Sequence, residues 1–131
     1  MNAGEAIDIF LQPGEYFAGD RGFRVRTLLG SCVSITLWHP RLRVGAMSHF
    51  LLPARPGGAR PDGRYGDDAL LLMLNELRAH GVAARDCEAK VFGGGDMFPA
   101  RLREGPSIGQ RNGAAARALL AASGIAVVSD S

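Results

Sequence analysis

Apolar and polar positions alternate from Phe23 to Leu28, with Phe23, Val25 and Thr27 on one side and Arg24 and Arg26 on the other. This period of two predicts a half-exposed strand. Two further runs, Ser31 to Trp38 and Val44 to Leu51, are largely β-branched or apolar, and the polar stretch HPRLR between them predicts a hairpin. Ile7 to Leu11 and Glu15 to Ala18 are short strand candidates flanking the Pro13-Gly14 turn, and Cys87 to Phe92 and Ile125 to Ser129 are two more. The period changes to that of a helix after Asp67, where Leu70, Met73, Leu74 and Leu77 share one face; Asp67 is the candidate N-cap and Gly81 the stop. A second, alanine-rich helix is expected from Gln110 to Ser123, ending at Gly124. ARPGGARPDGRYG, from Ala54 to Gly66, reads as a surface loop. These elements predict an α/β fold, a mixed and largely antiparallel sheet with two packed helices.

At 131 residues the chain fits a single domain with one core. A formal charge of +2, with basic residues spread along the chain, lacks the clustered stripe expected for nucleic-acid binding. No apolar run approaches the roughly 18 residues that span a bilayer, and the N-terminus lacks a signal-peptide pattern, so a cytoplasmic protein without membrane insertion is expected. In that reducing compartment Cys32 and Cys87 are expected as free thiols.

The candidate chemistry lies in the hairpin. If its turn is centred between Pro40 and Arg41, Trp38 faces Arg43, Ser34 faces Met47 and Cys32 faces His49. Directly opposed side chains stand about 4.5–5.5 Å apart at Cβ. An adjacent histidine activates a cysteine by holding it as thiolate, which makes a nucleophile with its base. Gly30 and Ser31 before the cysteine suit a tight turn whose amides face an oxyanion. Against this stands a Cys32 that is only a small buried hydrophobe and a His49 that is only a strand histidine. On residue types alone the two readings are level. Thr27 reads equally as a β-former at a strand end. His39, beside a proline in the turn, is expected in solvent, and His80 in a last helical turn is expected to be structural. Gly93 and Gly94, in a run of three glycines, allow close backbone approach but match no dinucleotide or P-loop pattern, so no cofactor and no metal is implied. In the same loop Asp96, Met97 and Phe98 read either as a substrate contact or as a small satellite core.

LGSCV at Leu29 to Val33, GAMSHFLLP at Gly45 to Pro53, RYGDDAL at Arg64 to Leu70, KVFGGGDMF at Lys90 to Phe98 and IGQRN at Ile108 to Asn112 occur in an order that resembles the CheD family. The resemblance covers most of the chain. It implies hydrolysis of glutamine side-chain amides on methyl-accepting chemotaxis receptors, releasing ammonia, with Cys32 as nucleophile, His49 as base and Thr27 as the supporting threonine. It also implies that Arg111 and Asn112 order the site or the glycine loop, although a solvated Arg and a local bond from Asn serve as well. Family members usually continue beyond the last strand with a Gly-Gly turn and closing strands, which are not found after Ser131; a sheet edge is then expected to be exposed. Two rivals remain at this point: a non-catalytic CheD-like adaptor that engages receptors or a CheC-type phosphatase, and a cysteine protease using the same pair.

Overall fold

A computed structural model describes residues 6–55, 57, 60–93 and 107–130. In chain order the elements are β1 (Ile7–Phe10), β2 (Tyr16–Asp20), β3 (Phe23–Arg26), β4 (Val33–His39), β5 (Val44–Ser48), α1 (Gly66–Ala79), a 3-10 turn (Ala84–Asp86), β6 (Glu88–Gly93), α2 (Ile108–Ala122) and β7 (Ala126–Asp130). Five strands form one sheet in the order β2-β5-β4-β6-β7, antiparallel except for β6–β7, and β1 pairs parallel with β3 in a separate ribbon. The expected mixed, largely antiparallel sheet with two helices is what forms. Among the described residues no helix is long and apolar enough to cross a membrane.

Strand alternation decides which side of the sheet is core. Val33, Ile35 and Leu37 of β4 pack with Leu70, Met73 and Leu77 of α1 and with Ala116 and Leu120 of α2, and all eight are buried. Fully burying one Val, Leu or Met side chain contributes roughly 1.5–3 kcal/mol, so this face holds the domain together. Residues of even number in β4 therefore point away from the helices, toward the side on which the ribbon lies. There the Phe17 and Phe23 rings meet at a centroid distance of 4.9 Å.

Helix α1 begins one residue before the expected cap. Tyr65 takes the N-cap position with no side-chain bond, and Asp67 sits in the first turn. The reason is that both first-turn carboxylates are engaged with the preceding loop: Asp67 Oδ1 accepts from the Arg55 amide, and Asp68 accepts from the Asp62 amide and pairs with Arg55 at 3.0 Å. Gly81 closes the helix at φ +77°, as expected. Helix α2 starts earlier than expected because Ser107 caps it, with Ser107 and Gln110 bonded reciprocally in a capping box.

The hairpin also differs from expectation. His39 pairs with Val44, so the loop is the four residues Pro40 to Arg43 rather than two. The Arg43 amide donates to the His39 carbonyl at 2.8 Å with Arg43 at φ 55°, and the Leu42 amide donates to His39 Nδ1 at 3.0 Å. His39 is thus buried against its own turn instead of solvated. The register consequently moves by two residues: Thr36, not Ser34, lies against Met47, and Trp38 lies against Gly45 rather than Arg43.

Candidate functional site

A shift of two preserves the face of every side chain, since strands alternate with that period. The offset that sets Thr36 against Met47 recurs where Val33 bridges Phe50, so between them Ser34 lies against His49. Val33 is in the core, and Cys32 immediately precedes β4. Ser34, not Cys32, is thus opposite His49; continuing the register sets Cys32 diagonally, where Cα atoms are about 7–8 Å apart, and His49 Nε2 makes no hydrogen bond to Cys32 Sγ.

The ribbon supplies the third group. Phe23, Val25 and Thr27 share the face that β3 turns toward the sheet, and Thr27 Oγ1 lies 2.7 Å from His49 Nδ1 and 2.9 Å from the Leu11 carbonyl oxygen. These two contacts fix the histidine tautomer. The Leu11 carbonyl only accepts, so the single hydroxyl proton of Thr27 goes there, and the hydroxyl oxygen accepts from His49 Nδ1–H. Nε2 is left as the bare, basic nitrogen, and it is buried without a hydrogen-bond partner among the described residues.

Asn112 ties the two segments of the site together from α2. Its fully buried side-chain amide nitrogen donates to the Ser31 carbonyl at 3.1 Å and to the Leu51 carbonyl at 2.8 Å. Ser31 C=O and Cys32 N–H belong to one trans peptide and point in opposite directions. By gripping the carbonyl, Asn112 aims the Cys32 amide away from the helix. Gly93 guards the other flank: it pairs with Val33 at φ +91°, and a Cβ there would collide with the Cys32 carbonyl oxygen. Arg111 is exposed on α2, turned away from the buried Asn112 beside it. Gly30 is exposed in the turn before Cys32, and Gly94, like Asp96, Met97 and Phe98, lies outside the described residues.

Burial pushes the Cys32 thiol above its ordinary value and the His49 imidazole below its own. Both directions favour the neutral forms. Burial therefore works against the expected thiolate–imidazolium pair, and Thr27 brings no charge to offset it. Cys87 is buried in the core, its thiol contacting the Ala83 carbonyl at 3.7 Å, and both cysteines are free.

Ser34 was not singled out by motif or by residue type. The signal was available in the sequence, whose period of two groups Cys32, Ser34 and Thr36. Between the ribbon and the sheet lies a cleft of about 320 Å³ lined by Phe17, Phe23, Val25, Trp38 and Met47 with Asp20, Glu88 and Lys90 among its polar residues; Cys32, Ser34 and His49 are not part of its lining.

A family model described as CheD chemotactic sensory transduction matches residues 51–131. The chain is similar, at 61% identity over 130 residues, to a protein of Albidiferax ferrireducens named probable chemoreceptor glutamine deamidase CheD 2, with 95% of this chain and 75% of that protein covered. A protein of Dechloromonas aromatica named probable chemoreceptor glutamine deamidase CheD 3 is 46% identical over 126 residues, covering 95% of this chain and 74% of its own. One of Pseudomonas syringae pv. tomato, named probable chemoreceptor glutamine deamidase CheD, is 52% identical over 95 residues, 72% of this chain and 56% of its own.

Proposed function

The chain belongs to the CheD family, and on that premise we propose that it deamidates glutamine side chains of chemoreceptors in the cytoplasm, by thiol chemistry centred on Cys32 and His49. The observation that supports the mechanism is the Thr27 contact to His49 Nδ1, which leaves Nε2 as the basic nitrogen.

In the first half-reaction, Cys32 Sγ attacks the carboxamide carbon as His49 Nε2 takes the thiol proton. Starting from a neutral pair, proton transfer accompanies attack. The oxyanion is received by backbone amides at Ser31 and Cys32, the latter aimed by Asn112; one such donor is worth about 2.7–4 kcal/mol in comparable sites. His49 then returns the proton to the departing nitrogen, ammonia leaves, and the acyl group remains on sulfur as a thioester. In the second half-reaction water attacks the thioester with His49 Nε2 again as base, giving glutamate and free thiol. Thr27 holds the ring in one tautomer through both halves.

The reading is tested by incubating the protein with receptor cytoplasmic fragments, measuring ammonia and mapping the product by mass spectrometry. Glutamine converted to glutamate in an uncut chain is the expected result, with no conversion by Cys32→Ala. Cleaved peptide bonds would make the protein a protease. Turnover by a folded Cys32→Ala protein would exclude the thiol mechanism.

A further inference from the structure

Ser34 and His49 each carry a buried polar atom with no hydrogen-bond partner among the described residues: Ser34 Oγ and His49 Nε2. Leaving such a group unsatisfied costs about 1–3 kcal/mol, and native interiors hold few of them. Ser34 is 1% exposed and His49 3%, and the pairs on either side of them, Thr36 with Met47 and Val33 with Phe50, set them opposite each other just past the end of β5. Their hydrogen-bonding capacities are also complementary. The hydroxyl has a proton to give, and Nε2, with its tautomer fixed by Thr27, has only a lone pair. One water molecule accepting from the first and donating to the second satisfies both.

We propose that Ser34 Oγ and His49 Nε2 together hold the water that hydrolyses the acyl-enzyme, which makes Ser34 a catalytic residue of the second half-reaction. The proposal rests on the thiol mechanism above. A water in that position touches the base that must activate it, and its anchoring hydroxyl lies two residues along the chain from Cys32. The water oxygen forms a bond to the thioester carbonyl carbon while its proton passes to Nε2. The C–S bond then breaks, and the thiolate recovers the proton from the imidazolium. Ser34 neither gains nor loses a proton overall. The one lone pair of Nε2 takes the thiol proton in the first half-reaction and receives the water only once ammonia has left, so the loss of Ser34 separates the two half-reactions.

The test uses a thioester that needs no receptor. Cys32 is acetylated with p-nitrophenyl acetate, peptide mapping verifies that the acetyl group is on Cys32 and not Cys87, and its loss is followed by intact mass. Ser34→Ala is expected to acquire the acetyl group at the wild-type rate and to lose it to water about five- to tenfold more slowly, the effect of removing one neutral hydrogen bond. Hydroxylamine, which brings its own nucleophile, should clear both proteins equally. On receptor fragments the same variant should show an undiminished first-turnover burst of ammonia followed by a slowed steady state. Wild-type hydrolysis in Ser34→Ala overturns the proposal, as does acetylation slowed in parallel with hydrolysis, since that marks a merely structural role. If receptors yield no ammonia but the acetyl group decays as expected, the deamidase reading falls and the assignment of Ser34 stands.

Discussion

The side-chain amide of Asn112 donates to the Ser31 carbonyl at 3.1 Å, joining a helix to the residue before the nucleophile across 81 positions of sequence. Its second bond, to Leu51, anchors the segment that follows His49. One side chain therefore sets the spacing of the pair. Asn112→Ala leaves two carbonyls without this donor and is expected to destabilise the protein by about 2–4 kcal/mol in urea unfolding. Deamidation by the folded fraction should fall further than stability alone explains. Asn112→Asp sets a carboxylate against both carbonyl oxygens and should be the worse variant at neutral pH.

Thr27→Val removes the acceptor of His49 Nδ1–H while keeping the shape of the side chain. The ring is then free to take either tautomer, and turnover is expected to fall roughly ten- to a hundredfold, less than where a carboxylate orients the histidine. Thr27→Ser, which keeps the hydroxyl, should restore most of it. Nitrogen NMR of the His49 ring reads the cause directly: protonation at Nδ1 in the wild type and in Thr27→Ser, and mixed tautomers in Thr27→Val.

The directions of the two shifts set the pH behaviour. His49 lies below its ordinary value of 6.5, so its neutral form, and with it deamidation, should persist at a pH where an ordinary histidine has already protonated. For stability, the unfolded chain takes up this proton first, so the contribution is full above about 6.5 and is lost as pH falls through the folded value. Cys32 is raised from 9.0, so its contribution is present below that value and lost as pH rises through the folded one. Iodoacetamide should accordingly label Cys32 slowly at neutral pH and faster only above the ordinary thiol range. Rapid labelling at a pH of about 6, well below the ordinary thiol range, would show a resting ion pair and overturn the neutral starting state.

Two glycines with positive φ separate backbone strain from site geometry. Gly81, at φ +77°, has open space where a Cβ would be, whereas at Gly93 a Cβ meets the Cys32 carbonyl. Gly81→Ala is expected to cost about 1–2 kcal/mol and to leave turnover per folded molecule unchanged. Gly93→Ala should cost at least as much and should also abolish deamidation by displacing Cys32. Equal turnover in the two folded variants would show that Gly93 has no part in shaping the site.

Much of this was legible in the chain. The period-two runs marked out β3, β4 and β5, and an even loop length preserved the face of each residue of β4 and β5 although the loop is four residues and not two. The error in register came from the turn chemistry: HPRLR has no glycine, and the positive φ at Arg43 that allows the longer loop is carried by a residue that rarely adopts it. The burial of His39 follows from that same turn. Other features were not legible because they join distant segments. No local pattern says that the Thr27 hydroxyl gives its proton to Leu11, or that Asn112 spans Ser31 and Leu51. The shift of the pair toward its neutral forms likewise depends on burial, which a motif does not report.

A histidine oriented by a hydroxyl instead of a carboxylate has a consequence for chemical durability. Peroxide, disulfides and other electrophiles attack sulfur as thiolate, and low-pKa, exposed cysteines are the ones they oxidise. Burial shifts Cys32 toward its protonated form and His49 toward its neutral one, and the Thr27 contact adds no charge to oppose this. Under the proposed mechanism the sulfur is then expected to react slowly with electrophiles between turnovers and to be activated when a substrate carbonyl is in place. On that reading the burial that disfavours the charged pair ties slow oxidation to the need for a seated substrate, and peroxide should oxidise Cys32 more slowly than a free cysteine.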